Sequence, residues 1–156
     1  MTTANERRIR AGYHLFLAAK ADEPGDWAPD APVAALMHED IEWFDDSEPA
    51  DSTRPRHFQG KGDGRGDEDS LDNPSSVLGR LRQLRRQMPC CQILSCLEDE
   101  TQRVVHTVDH GLKVDDRGKR PQLCASSFEF DTAGKVVSVH YCSTEMRLDL
   151  PEGQGG

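Results

Sequence analysis

The sequence predicts an α+β fold in which helices pack on one face of a strongly curved antiparallel sheet. Segments with helical spacing dominate the first part of the chain, and four strand-like segments follow one another between residues 90 and 145. The segment from 128 to 140 holds the turn residues 131–134 between two apolar runs, which is typical of a β-hairpin. A run of helices followed by a run of strands favours this fold class over alternating α/β units.

The composition limits the possible functions. The 156 residues fit a single domain, predicted at residues 1–150 with a disordered tail at 151–156. A formal net charge of −9 gives no general attraction to nucleic acid. Apolar runs stay far below the roughly 20 residues of a membrane span, and the N-terminus lacks the apolar core of a signal peptide. We therefore expect a cytoplasmic protein that contacts neither nucleic acid nor membrane.

The five cysteines are an odd number without a Cys-x-x-Cys pair, and we interpret them as reduced and buried. A catalytic thiol is the alternative, with Cys142 as its candidate. No His-x-x-x-His motif or carboxylate cluster indicates a metal site, so we expect neither a metal nor another cofactor.

Two helices are predicted before the first strand. A capping box formed by Thr3 and Glu6 begins a helix that runs to about Ala21. Pro32 to His38 is predicted as a second, short helix with its apolar residues on one side.

The first strand is predicted at residues 40–46. A period of two places Ile41, Trp43 and Asp45 on one face of it. A carboxylate against Trp43 would lose solvent and its pKa would rise, which suits a general acid or base near neutral pH.

Residues 48–72 are rich in Asp, Gly, Ser and Pro and predict a long, flexible, acidic connection. The glycine-rich fragment at 60–66 matches neither phosphate-binding motif, so we interpret it as a solvated loop. The sequence leaves open whether the connection covers a pocket as a lid.

A third helix is predicted from Asn73 and Pro74 to a point before Pro89. Its arginines are interpreted as a solvated face, and an anionic partner or acidic neighbouring subunit is the alternative. They are Arg80, Arg82, Arg85 and Arg86.

Four strands complete the chain, and turns at 115–118 and 131–134 make the last three antiparallel neighbours. The predicted strands are 90–98, 102–114, 122–131 and 135–145.

Two motifs resemble those of the nuclear transport factor 2-like superfamily, which includes SnoaL-like cyclases, ketosteroid isomerases and scytalone dehydratase. They are Leu-Met-His-Glu-Asp-Ile-Glu-Trp-Phe-Asp-Asp at 36–46 and Phe-x-Phe-Asp-x-x-Gly-Lys-Val around Gly134. The order of elements is similar over most of the chain. The resemblance implies a cone-shaped, curved antiparallel sheet with three helices on its concave side, enclosing a pocket.

The resemblance also implies roles for three residues. Asp45 matches the aspartate that serves as general base in ketosteroid isomerase, and Tyr13 lies near the position of its oxyanion-binding tyrosine. Ser126 stands where that enzyme has a protonated aspartate, which argues against steroid isomerisation but leaves proton transfer possible.

Further candidates come from the strand faces. On the strand at 102–114, His106 and His110 are predicted to point into the pocket as proton carriers, whereas Thr107 and Asp109 are predicted to face outward. Hydrogen-bonded structural histidines are the alternative. The pocket wall and substrate contacts are predicted to come from Phe16, Trp43, Ser126, Phe128, Val139 and Tyr141.

The favoured function is a small, cofactor-independent isomerase, cyclase or dehydratase. Asp45 would exchange a proton with a hydrophobic carbonyl or polycyclic substrate, while Tyr13 or a pocket histidine stabilises the oxyanion. The alternative is a binding or assembly module that holds a small ligand or a protein segment without chemistry. The resemblance also implies a homodimer through the outer face of the sheet.

Overall fold

The computed structural model describes residues 1–47, 56–66, 73–116 and 118–146. Its helical elements are α1 (Ala4–Ala18), two 3₁₀ turns (Pro24–Trp27 and Pro32–Ala34) and α2 (Val77–Gln87). The strands are β1 (Met37–Ser47), β2 (Arg56–Gln59), β3 (Cys90–Asp99), β4 (Val104–Asp115), β5 (Gly118–Phe130) and β6 (Val136–Glu145). Within these ranges no helix is long and apolar enough to cross a membrane.

The strands form one sheet in the order β2-β1-β6-β5-β4-β3. Every neighbouring pair is antiparallel except β1 and β6, which run parallel. The predicted α+β class is confirmed, but the sheet is mixed rather than wholly antiparallel. The core lies where α1 and α2 meet the sheet, and it includes Ile9, Val77, Leu84, Val105 and Val139.

The capping box of α1 forms as predicted, with the Thr3 side chain accepting from the Glu6 N–H. The predicted short helix at 32–38 is wrong. Only a 3₁₀ turn forms there, because β1 already pairs with β6 at Met37 and the Leu36 carbonyl accepts from the Val136 N–H. The sheet takes the backbone groups that the helix would have used.

The predicted unstructured connection is wrong for residues 56–66. Phe58 is buried within β2, and the Gly60 and Lys61 N–H groups donate to carbonyls of β1. A single apolar residue in a polar segment thus suffices to add an edge strand. The rest of that connection, like the predicted tail at 151–156, falls outside the described residues.

The interpretation of the α2 arginines as a solvated face is wrong for Arg80. This side chain is 1% exposed, and its Nε donates to Asp45 Oδ2 at 2.6 Å. Its other nitrogens donate to Gln83 and to Ser47. The ion pair joins α2 to β1 across the interior.

The solvated-face interpretation is also wrong for Arg82, which is buried, and both Arg82 and Arg85 donate to main-chain carbonyls. Arg82 reaches Ala21 and Gly64, whereas Arg85 reaches the carbonyls at the C-terminal end of α1. The Arg85 bonds satisfy acceptors that the end of α1 leaves free and fix α2 against α1, whereas Arg82 ties α2 to the loops at Ala21 and Gly64.

Replacing Asp45 by Ala should lower the free energy of unfolding by about 3 to 5 kcal/mol, because Arg80 would remain charged and unpaired in the interior. Asp46 is exposed on the opposite face of β1, so Asp46→Ala is the matched control and should change the free energy by less than about 0.5 kcal/mol. Urea denaturation of both variants measures the difference. Equal stabilities would show that the ion pair contributes nothing.

Candidate active site

A cavity of about 130 Å³ lies between the two helices and the concave face of the sheet. Its wall is almost wholly hydrocarbon and aromatic. It is formed by residues of α1 and α2 and by inward-facing residues of all the strands except β2. All six side chains predicted to contact substrate line it: Phe16, Trp43, Ser126, Phe128, Val139 and Tyr141. Their part in binding stays a prediction.

Tyr13 and Asp109 form the polar centre of this cavity. The Tyr13 hydroxyl donates to Asp109 Oδ1 at 3.0 Å and lies 3.0 Å from Thr107 Oγ1. Tyr13 comes from α1, whereas Thr107 and Asp109 are alternate residues of β4 and share its inner face. Asp109 is only 4% exposed.

The surroundings of Asp109 favour its protonated form. Burial raises the pKa of this carboxyl from 3.8 to about 6, although hydrogen bonds from Tyr13 and the Cys124 thiol and the charge of His110 act in the opposite direction. Burial and the nearby Asp109 charge also raise the pKa of Tyr13 well above its ordinary value. Asp109 can therefore take or give a proton near neutral pH, while Tyr13 stays a hydrogen-bond donor.

The face predicted for β4 is wrong. Thr107 and Asp109 point inward, while His106 is exposed on the outer face and its Nδ1 lies 2.9 Å from Ser127 Oγ. His110 shares that outer face and does not line the cavity. The outward residues of β4 are mostly aliphatic, so the apolar pattern alone favoured the wrong side.

Asp45, predicted as the general base, does not lie in the cavity. Its carboxylate accepts from Trp43 Nε1, Ser47 and Arg80. Burial alone would raise its pKa, but the hydrogen bond and charge of Arg80, with the Ser47 and Trp43 donors, lower it. The predicted raised pKa is wrong, and an ionised, fully bonded carboxylate is a poor proton acceptor.

The cavity has a cysteine in its wall, but it is Cys91 and not the predicted thiol candidate Cys142. All five cysteines are free, but Cys90 and Cys142 are exposed and Cys91 is only half-buried, so the prediction that all are buried holds for Cys96 and Cys124 alone. Cys91 does line the cavity, where burial and then the Asp109 charge raise the pKa of its thiol to about 11. A neutral thiol is a weak nucleophile. Across the described ranges, no group of three or more His, Cys, Asp or Glu residues could hold a metal ion.

Comparisons with known proteins identify the fold. No family model and no curated protein matches the chain. Among solved structures, Bal32a from a soil-derived mobile gene cassette is similar, with 16% identity and a TM-score of 0.61 over 89% of this chain and 88% of that one. A steroid delta-isomerase from Pseudomonas aeruginosa gives 16% identity and 0.57 over 92% and 82%.

An NTF2-like protein from Anabaena variabilis shares 15% identity, with a TM-score of 0.55 over 95% of this chain and 96% of that chain. The chain therefore has the nuclear transport factor 2-like fold, as the sequence motifs implied. Identities this low carry the fold alone, so the activity has to be inferred from the cavity.

Replacing Asp109 by Asn should make stability less dependent on pH. A carboxyl whose pKa is raised in the folded state stabilises the fold below its unfolded pKa of 3.8, and this contribution is lost as pH rises through about 6. Relative to the wild type, Asp109→Asn should gain about 2 to 3 kcal/mol between pH 4 and pH 7.5. Urea denaturation at both values measures this gain. If the stability difference between Asp109→Asn and the wild type is the same at pH 4 and at pH 7.5, the raised pKa is contradicted.

Proposed function

We propose that the protein is a small acid/base enzyme, an isomerase in the simplest case, that moves a proton within a hydrophobic carbonyl compound. The observation that supports this most strongly is the buried carboxyl of Asp109 beside Tyr13 in an otherwise apolar cavity. A protein that needed only a stable core would gain nothing from a carboxyl group placed there without a cation.

Asp109 takes the role that the sequence assigned to Asp45. Ionised at neutral pH, it removes a proton from the carbon next to the substrate carbonyl and later returns that proton to the γ-carbon of the resulting dienolate. One C–H bond breaks, another forms, and the double bond moves into conjugation. No external oxidant or reductant is needed.

The developing oxyanion needs hydrogen-bond donors. Tyr13 can turn its hydroxyl proton from Asp109 to the substrate oxygen. The Tyr13 oxygen then still has Thr107 Oγ1 within hydrogen-bond distance as a donor. Ser126 pairs with Thr107 across β4 and β5 and lines the same cavity, so its hydroxyl is the second donor. Tyr13 keeps the oxyanion-binding role that the resemblance implied, whereas Ser126, predicted only to contact the substrate, is given a donor role here.

A steroid delta-isomerase is among the proteins of similar fold, which supports proton-transfer chemistry as a proposal. The carboxyl in the cavity is on β4, whereas the resemblance implied Asp45 on β1. Cyclisation and dehydration need the same proton transfers and remain within the proposed class. A binding module without chemistry is the competing function, and activity measurements separate the two.

Asp109→Asn should lower the rate of conversion of cyclohex-3-en-1-one to its conjugated isomer by about 100-fold or more, since the general base is removed while its shape is kept. Formation of the conjugated enone is followed by its ultraviolet absorbance. Tyr13→Phe should reduce the rate as well, by removing an oxyanion donor.

His106→Ala is the matched control, because this side chain is exposed on the outer face of the sheet, and it should leave the rate unchanged. Equal rates in wild type and Asp109→Asn would exclude Asp109 as the base. Binding of the enone without any conversion by the wild type would favour the binding module.

A further inference from the structure

The cavity selects strongly against negative charge. Among its described lining residues there is no lysine, arginine or histidine, and Asp109 is the one carboxyl. Three arginines of α2 are held elsewhere, Arg80 by Asp45 and both Arg82 and Arg85 by main-chain carbonyls. An anionic ligand would therefore lie beside Asp109 with no cation to neutralise it, which is costly in a medium of low dielectric.

The polar groups of the cavity are concentrated on one side. Tyr13, Asp109 and Ser126 lie together where α1 covers β4 and β5. The Tyr141 hydroxyl, which also lines the cavity, already contacts the sulfur atoms of Cys124 and Met88. A ligand with one oxygen at one end and hydrocarbon elsewhere satisfies this distribution without leaving a buried polar group unpaired.

The volume limits the size of the ligand. About 130 Å³ is close to the roughly 150 Å³ of an engineered cavity that accommodates benzene. Trp43 packs against Tyr141 with ring centroids 5.5 Å apart, and both belong to the sheet, so this wall is not easily displaced. One six-membered ring fills this volume, and four fused rings exceed it.

We infer that the ligand is a mostly hydrocarbon molecule of about one ring that carries a single carbonyl oxygen and no negative charge, and that carboxylates, phosphates and polycyclic compounds are excluded. This inference rests on the proposed function for the location of the site, but not on any catalytic step. It narrows the sequence-based expectation, which allowed polycyclic substrates.

Ring compounds that differ in one group test the inference at pH 7.5. Cyclohexanone, cyclohexanecarboxylate and cyclohexylammonium share the ring and differ in charge, and a four-ring steroid ketone tests size. Chemical-shift titration of the isotope-labelled protein gives each dissociation constant. We expect cyclohexanone to bind at least about 100-fold more tightly than the carboxylate, and the steroid not to shift the cavity resonances.

The location is checked with a matched pair of variants. Leu81→Trp fills the cavity from α2 and should abolish cyclohexanone binding, whereas Leu97→Trp, at a residue 65% exposed on β3, should not. If Leu81→Trp does not fold, Val33→Trp on another wall replaces it.

Tighter binding of the carboxylate, the ammonium or the steroid than of cyclohexanone would overturn the inference, and so would no binding of cyclohexanone. The proposed function fails differently. Cyclohexanone would then bind as expected, while cyclohex-3-en-1-one would not be isomerised.

Discussion

The proton transfer proposed for this protein depends on one constraint, a carboxyl group in an apolar cavity. Asp109 is buried, its described surroundings in the cavity contain no cation, and its nearest strong hydrogen-bond partner is the Tyr13 hydroxyl. Because the ionised form is poorly stabilised there, its pKa rises to about 6. That shift costs stability at neutral pH, and the same shift makes the group useful for proton transfer.

Asp45, a second buried carboxylate, has a structural role and is surrounded by hydrogen-bond donors. Arg80, Trp43 and Ser47 supply donors to it, and its pKa is lowered. The two carboxyl groups thus lie on the same sheet with opposite electrostatics. Asp45 stays ionised and holds α2 against the sheet through Arg80, whereas Asp109 can exchange a proton.

The fold was largely predictable, because helical spacing, the turn residues and the strand periods agree with one another. The site was less predictable than the fold, although the strand register implied by the sequence already indicated which face of β4 points inward. The predicted turn at 115–118 sets the β4–β5 register, which pairs Thr107 with Ser126. Directly paired residues share a face, so the inward prediction for Ser126 already implied an inward Asp109. The ion pair of Asp45 with Arg80 joins residues 35 positions apart, and no local pattern reports it.

The most direct measurement is the titration of the Asp109 carboxyl itself. Aspartate labelled with ¹³C at the carboxyl carbon gives one resonance for each residue, and Asp109→Asn identifies the resonance of interest. We expect a midpoint near pH 6 for Asp109. A midpoint at or below the ordinary value of 3.8 would contradict it, since the carboxyl would then be as well solvated or as well paired as any surface aspartate.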